Sequence, residues 1–327
     1  MNLLNADQIY SPNPKYPWAM EAWRKQQQVH WLPEEVLTHE DIQDWKRKLS
    51  ANEKNLLTQI FRFFTQADIE VFGGYMSKYL EIFQPLEIRM MLASFSNMET
   101  IHIVAYAHLI ETLNMPDVIF SQFLEYKEML DKHEYLQSFN MNSKPDIALT
   151  LAVFGAFSEG LQLFASFAIL LNFPRHNKMK GMGQIVTWSV RDETLHTLSI
   201  IKLFHVFIKE NPEIWTESLR GKIYNACTTV VHFEDKFIEL AFQMGSLENL
   251  TANDVKRYIR YVADMRLNQL GLEPVYMIDE NPLPWLDKIL NGIEHVNFFE
   301  NRATEYSKSS TTGTWKDVFA NFDKNKL

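Results

Sequence analysis

The sequence METIH at residues 98–102 places a glutamate three positions before a histidine, and RDETLH at residues 191–196 repeats the arrangement. The two pairs are Glu99 with His102 and Glu193 with His196. A spacing of three residues puts both side chains of a pair on one helical face, where they can share an ion. One such pair alone says little, because a chain with 10 histidines and 41 acidic residues is expected to contain it by chance.

An acid in an otherwise apolar stretch, one helix earlier, strengthens each pair. Asp68 lies 31 residues before Glu99, and Glu159 lies 34 residues before Glu193, as expected of antiparallel neighbouring helices. Glu70 is close in sequence to Asp68 but lies about 200° further round the helix. Four carboxylates and two histidines from four helices are the ligand set of ferritin-like dimetal proteins, and ligands this hard favour iron or manganese over zinc. The pattern predicts a centre of two metal ions rather than a set of buried ion pairs.

The prolines divide the chain into long runs with helical patterning, since proline is excluded from helix interiors. We predict helices over residues 54–80, 87–113, 146–171, 183–208, 217–244 and 253–270. No run alternates with period two, and only 11 residues are glycine. The sequence therefore predicts an all-α, ferritin-like bundle over residues 1–300, with an extended N-terminal arm over residues 1–30 and a flexible tail over residues 301–327.

Composition excludes several classes of protein. A formal charge of −9 argues against nucleic-acid binding. The single cysteine, Cys227, excludes a disulfide framework and a cysteine-ligated cluster, and it favours a reducing cytoplasm. Residues 147–171 are apolar enough to cross a membrane, but Glu159 near their middle would cost roughly 2.5–3.5 kcal/mol there. We predict a buried helix and no membrane contact.

Tyr106 follows Glu99 by seven residues, two helical turns later, and so shares its face. A buried tyrosine is usually a packing residue with a satisfied hydroxyl. Beside a redox-active metal pair, however, Tyr106 becomes a candidate one-electron donor.

These residues together resemble a known family. NMETIHIVAY at residues 97–106, followed by RDETLH at residues 191–196, resembles the radical-generating small subunit of class I ribonucleotide reductase. WLPEEV at residues 31–36 looks like that family's N-terminal signature. NPLPW at residues 281–285 and EY at residues 305–306 look like its C-terminal landmarks, so the resemblance spans most of the chain.

The resemblance implies a role for each candidate residue. Tyr106 matches the tyrosine that holds the radical. Trp31 and Asp192 match the route by which an electron and a proton leave the metal site through His102, and Tyr306 matches the tyrosine that passes the radical to the large subunit. The implied metal ligands, for two ions of iron (first choice) or manganese, are Asp68, Glu99, His102, Glu159, Glu193 and His196.

Simpler interpretations stay open at this point. Trp31 could be a core anchor, Asp192 a surface acid and Tyr306 a solvated tail residue. The whole chain could also be a stand-alone di-iron oxidase or a ferritin-like metal-storage protein, although storage chains are usually about half this length.

The cysteine count also predicts a partner. Reduction of a ribose by this family's chemistry needs a thiyl radical and two reducing thiols, whereas this chain has only Cys227. We therefore expect activity only with a separate large catalytic subunit, and the resemblance also implies a homodimer. The apolar residues of the tail are the predicted docking peptide, namely Trp315, Val318, Phe319 and Phe322.

Overall fold

The structure is a computed structural model that describes residues 2–6 and 9–289. Within these residues the chain forms α-helices, three π-helical segments and short 3-10 turns, and no β-strand. The α-helices are α1 (Pro17–Gln28), α2 (His39–Gln43), α3 (Ala51–Gly74), α4 (Leu80–Ile82), α5 (Leu86–Thr112), α6 (Lys127–Gln137), α7 (Lys144–Leu151), α8 (Leu163–Arg175), α9 (Lys180–Glu210), α10 (Glu217–Ala241) and α11 (Ala252–Gln269). The π-helical segments are Asp44–Lys48, Tyr75–Tyr79 and Ala152–Gln162, and the 3-10 turns are Pro33–Glu35, Asp117–Phe120, Gln122–Glu125 and Pro212–Ile214. The predicted all-α class is confirmed.

All six predicted helices are present, and capping groups explain where several begin. At the start of α3, Ser50 Oγ accepts a hydrogen bond from the backbone N–H of Glu53, whose carboxylate accepts one from Ser50 N–H. Thr216 and Thr251 cap α10 and α11 with their hydroxyl oxygens. Such caps satisfy N–H groups that have no partner inside the helix. α11 ends before Gly271, whose φ of +79° suits glycine.

The centre of the bundle depends on a close approach between α9 and Ala152–Gln162. A Cβ atom at Gly155 would lie 2.3 Å from Cγ2 of Ile200, and one at Gly160 would lie 2.9 Å from Cγ2 of Thr197. Because both distances are shorter than van der Waals contact, glycine is needed at both positions. On the other side of the centre, α3 packs against α5.

The long apolar stretch is a helix of the protein core, as predicted. Lys144–Arg175 continues from α7 through Ala152–Gln162 into α8, and 94% of its most apolar window is buried inside the protein. Glu159 therefore lies among other helices.

The extended arm predicted over residues 1–30 is wrong for Pro17–Gln28, which forms α1. Pro17 occupies the first helical turn, where its missing N–H has no partner to lose and its fixed φ suits the helix. Alanine, glutamate, arginine, lysine and glutamine follow, and all of them favour helix. α1 packs against α5 and so contributes to the centre of the bundle.

One compact unit extends from Met1 to Leu286, and a second begins at Asp287. Residues 284–289 are helical. The predicted boundary near residue 301 and the predicted tail lie outside the described residues, so both stay predictions.

Candidate metal centre

The six predicted ligands come from four helical stretches. α3 carries Asp68 and the π-helical segment carries Glu159, whereas α5 and α9 each carry one Glu-x-x-His pair. Each of these side chains is at most 1% exposed: Asp68, Glu99, His102, Glu159, Glu193 and His196. Two acid-bearing stretches and two pair-bearing helices thus bury their ionisable groups together.

The glutamates of the two pairs lie between the two histidines. His102 Nδ1 lies 3.3 Å from Glu99 Oε2 and 3.2 Å from Glu193 Oε1. His196 Nδ1 lies 2.9 Å from Glu99 Oε1 and 3.7 Å from Glu193 Oε2. Each carboxylate therefore turns one oxygen towards each histidine, which is the arrangement a ligand needs to bridge two ions.

Two overlapping sets of side chains could each hold one ion. Glu99, His102 and Glu193 offer ligand atoms that all lie within 4.8 Å of one another. The same is true of Glu159, Glu193 and His196. Because Glu193 belongs to both sets, two ions held there would share it.

Asp68 belongs to neither set but lies close to them. Burial raises the pKa of Asp68 well above its usual value; His102 opposes this, while Glu99 and Glu193 add to it. Burial and the charge of Glu193 likewise raise the pKa of Glu159. Four carboxylates are thus buried with only two histidines to balance them, and bound cations would relieve that excess of negative charge.

The outer nitrogens of both histidines are anchored by protein groups. His102 Nε2 lies 3.4 Å from Asp192 Oδ2, and His196 Nε2 lies 2.9 Å from Gln26 Oε1. Such partners orient a metal-binding imidazole and leave its other nitrogen for the ion.

In contrast, Asp68 Oδ2 has no hydrogen-bond partner within the described part of the chain, and Glu99 Oε1, Glu193 Oε2 and His196 Nδ1 face one another. Buried polar atoms are normally paired. The residues present therefore fit two cations with oxygen and nitrogen ligands.

Sequence reasoning missed two residues of this centre. Tyr75 O–H donates a hydrogen bond to Glu159 Oε2 at 2.9 Å. Tyr75 follows Asp68 by seven residues, the same spacing that identified Tyr106, so a signal was present. Gln26 is on α1, in the stretch predicted to be extended, and no local pattern distinguishes it.

Glu70 faces away from the centre, as the helical geometry predicted. It pairs with His133 Nδ1, and the charge of Lys132 also acts on it. Lys132 itself forms a buried ion pair with Glu234 at 2.5 Å. This second charged cluster therefore joins α6 to α3 and α10.

Tyr106 is buried in an aromatic environment. Its ring stacks on Phe64, with centroids 4.2 Å apart and planes inclined by 5°. Its hydroxyl has no hydrogen-bond partner among the described residues, and the neighbouring Ser189 hydroxyl donates instead to Ile185 O at 3.1 Å. Burial and the charge of Asp68 raise the pKa of Tyr106, so the side chain is a neutral phenol.

Trp31 and Asp192 form a continuous contact with the centre. Trp31 Nε1–H donates to Asp192 Oδ2 at 2.9 Å, and the same oxygen faces His102. Burial alone would raise the pKa of Asp192, but His102 and Arg191 hold it below its usual value. Tyr306 and the predicted docking residues of the tail lie outside the described residues.

The fold and this centre together define a class of protein. A helical bundle with two acid-bearing stretches and two Glu-x-x-His helices converging on one buried space has the architecture of the ferritin-like dimetal-carboxylate proteins. Within that class, comparison with known proteins gives the family.

The family described as "Ribonucleotide reductase, small chain" matches residues 9–282. A probable ribonucleoside-diphosphate reductase small subunit of Invertebrate iridescent virus 3 is 45% identical, covering 95% of this chain and 88% of the relative. The corresponding protein of Invertebrate iridescent virus 6 is 40% identical, and the match covers 98% of this chain and 99% of that relative. This chain belongs to the ribonucleotide reductase small-chain family.

Solved structures support the same fold. The ribonucleotide reductase R2 subunit from Clostridium botulinum superposes with a TM-score of 0.83 at 22% identity, covering 89% of this chain and 94% of that one. Streptococcus sanguinis dimanganese(II)-NrdF superposes with a TM-score of 0.74 at 22% identity, covering 83% of this chain and 94% of that one. The chain is thus the small subunit of a class I ribonucleotide reductase, an oxidoreductase whose large subunit is a separate chain.

Proposed function

We propose that this small subunit generates an oxidising equivalent at two metal ions, stores it on Tyr106 and passes it to the large subunit, which reduces ribonucleotides to deoxyribonucleotides. The observation that carries the proposal is the convergence of Glu99 and Glu193 on the Nδ1 atoms of both histidines. The unpaired, buried phenol of Tyr106 adds to it.

Each ligand has a role in this proposal. Glu99 and Glu193, which each face both histidines, would be shared by the two ions, and Asp68 and Glu159 would each hold one of them. When bound, the metal pair supplies the reaction with an oxidant that removes one electron from the protein. Iron is the first choice and manganese the second, since the ligands are carboxylate oxygens and imidazole nitrogens.

The protein's own groups then protect and move the oxidising equivalent. Phe64 covers the face of the Tyr106 ring, and burial excludes water from its hydroxyl. Asp192 connects His102 to the Trp31 indole and accepts its N–H, so an electron and a proton can pass along one row of contacts.

Nucleotide reduction itself takes place on the partner. Burial raises the pKa of Cys227 to about 12, so the only thiol of this chain is neither exposed nor ionised. We further propose that the chain is a cytoplasmic homodimer, that its tail docks to the large subunit, and that Tyr306 relays the radical.

Metal analysis and electron spin resonance test the centre. The full chain is expected to bind two ions and, after reduction and exposure to oxygen, to show a tyrosyl radical. His102→Ala is expected to bind one ion fewer and to form no radical. His232→Ala, at an exposed position on α10, is the matched control and is expected to behave like the unsubstituted chain. Two tightly bound ions in a chain lacking both His102 and His196 would contradict the ligand assignment.

A further inference from the structure

Trp188 lies beside the proposed transfer residue Trp31. The two indole rings are 5.1 Å apart between centroids, with planes inclined by 54°. Trp188 precedes Asp192 by four residues on α9, so both side chains lie on one face of that helix. Trp31 therefore contacts Asp192 through its N–H and Trp188 through its ring.

The two tryptophans differ in their access to solvent. Trp31 is 2% exposed, so a donor outside the protein has almost no access to its ring. Trp188 is half-buried and lines a surface cavity of about 380 Å³ between the start of α9 and the loop that precedes α2. Leu37, Lys180 and Gln184 are among the other lining residues. The row of contacts from His102 through Asp192 and Trp31 thus reaches the surface at Trp188.

We propose that Trp188 is the surface terminus of the electron path and relays electrons from the electron donor to Trp31. The inference rests on the proposed function, in which that donor is the phenol of Tyr306. Electron transfer between aromatic side chains slows steeply with distance, so a ring in contact with Trp31 and open to solvent shortens each step.

The electrons of the redox step balance within the chain, and the protons balance through solvent. The oxidised Tyr106 phenoxyl gains one electron through Trp31 and one proton that comes ultimately from solvent, which restores its O–H bond. Trp188 supplies the electron to Trp31, and Tyr306 supplies it to Trp188 while releasing its phenolic proton to water. Both indoles end as they began, and the net change is reduction of Tyr106 and oxidation of Tyr306.

The geometry is tested first, without metal. Two indoles in ring contact are expected to give an exciton couplet at the intense indole band in the far-ultraviolet circular dichroism of the metal-free full chain. The couplet should disappear in both Trp31→Phe and Trp188→Phe and persist in Trp215→Phe, a half-buried tryptophan that packs on Phe204. A couplet unaffected by Trp188→Phe would overturn the proposed contact.

The path is tested in the metal-loaded chain with the large subunit and substrate present. Tyr306 is replaced by 3-aminotyrosine, which is more easily oxidised and traps the radical. Trp188→Phe is expected to slow the appearance of the trapped radical by at least about tenfold, equivalent to ~1.4 kcal/mol of barrier, with Tyr106 radical and metal content unchanged. Trp188→Tyr, which keeps a redox-active ring, is expected to restore most of the rate.

The outcomes separate the two levels of the proposal. An undiminished rate in Trp188→Phe, or equal loss in Trp188→Tyr and Trp188→Phe, would overturn the role of Trp188 and leave the proposed function intact. Absence of the Tyr106 radical, or of trapping at position 306, in the chain with Trp188 intact would overturn the proposed function and this inference with it.

Discussion

Tyr106 combines a ring stacked on Phe64 with a buried hydroxyl that makes no hydrogen bond within the described structure. A hydroxyl that makes no hydrogen bond contributes little to folding, because its desolvation is not offset. Its presence is therefore better explained by chemistry at the phenol than by packing.

Tyr106→Phe is accordingly expected to abolish the tyrosyl radical signal while leaving two metal ions bound. The free energy of unfolding should stay within about 1 kcal/mol of that of the unsubstituted chain, because only an unpaired hydroxyl is removed. Spin resonance, metal analysis and denaturant titration measure the three quantities. Nucleotide reduction that survived in Tyr106→Phe would mean that the metals themselves hold the oxidising equivalent.

Tyr75 acts on the metal centre through another residue. Its O–H donates to Glu159, so Tyr75→Phe is expected to weaken the binding of one ion by roughly tenfold, as loss of an outer partner commonly does. Tyr79→Phe is the matched control, since the Tyr79 hydroxyl donates its hydrogen bond to Thr150 O, at 3.4 Å, rather than to Glu159. Competition titration with a chelator gives both affinities, and equal values would argue that Glu159 does not need its donor.

At the scale of elements, the π-helical segment Ala152–Gln162 sets the position of Glu159. π-helical turns are rare in proteins overall, but those that occur are often found at functional sites. Arg266, on α11, is 3% exposed and donates from Nε to Gly160 O at 2.8 Å, directly beside Glu159 in the chain. Its guanidinium also lies over the Phe164 ring. The buried guanidinium of Arg266 therefore helps to hold Ala152–Gln162, the segment that carries the proposed ligand Glu159, in position.

Arg266→Met is expected to lower the free energy of unfolding by about 2–3 kcal/mol, because a charge-assisted hydrogen bond to a buried carbonyl is lost. Amide hydrogen exchange should accelerate over Ala152–Gln162. Arg260→Met removes a partly exposed pair with Asp235 and should cost roughly 1 kcal/mol or less. Equal protection of the segment in both variants would contradict the role of Arg266.

The helices were predictable because proline positions, glycine scarcity and apolar periodicity all act locally. The clustering of Glu99, His102, Glu193 and His196 was predictable because the Glu-x-x-His spacing is itself a property of one helix. α1 was missed because two prolines near the N-terminus suggested extended chain, although Pro17 favours a first turn. Contacts between distant segments, such as Gln26 with His196 and Trp188 with Trp31, had no signal in sequence spacing.

At the scale of the whole molecule, chemistry and docking are assigned to different parts of the chain. Deleting residues from Gly313 onward is expected to preserve metal binding and the Tyr106 radical and to lose binding to the large subunit. Titration of the large subunit with each form measures the difference, and a synthetic peptide of the deleted stretch should compete. Unchanged affinity of the truncated chain would assign docking to the bundle.

Tyr306→Phe separates transfer from docking. Phenylalanine cannot release a proton and an electron together, so radical formation and large-subunit binding are expected to persist while nucleotide reduction stops. Turnover assays measure the loss, with spin resonance and binding titration as controls. Continued turnover would require another residue to carry the radical out of the chain, with Trp315 the first to test.

The burial of all six proposed ligands has a kinetic consequence. With every one of them at most 1% exposed, an ion has no route from solvent unless the bundle opens locally. Exchange of one metal for another is then limited by the frequency of that opening rather than by the strength of coordination. The ion found in the protein would therefore record which metal was abundant when the bundle last opened, even where a competing ion binds more tightly at equilibrium.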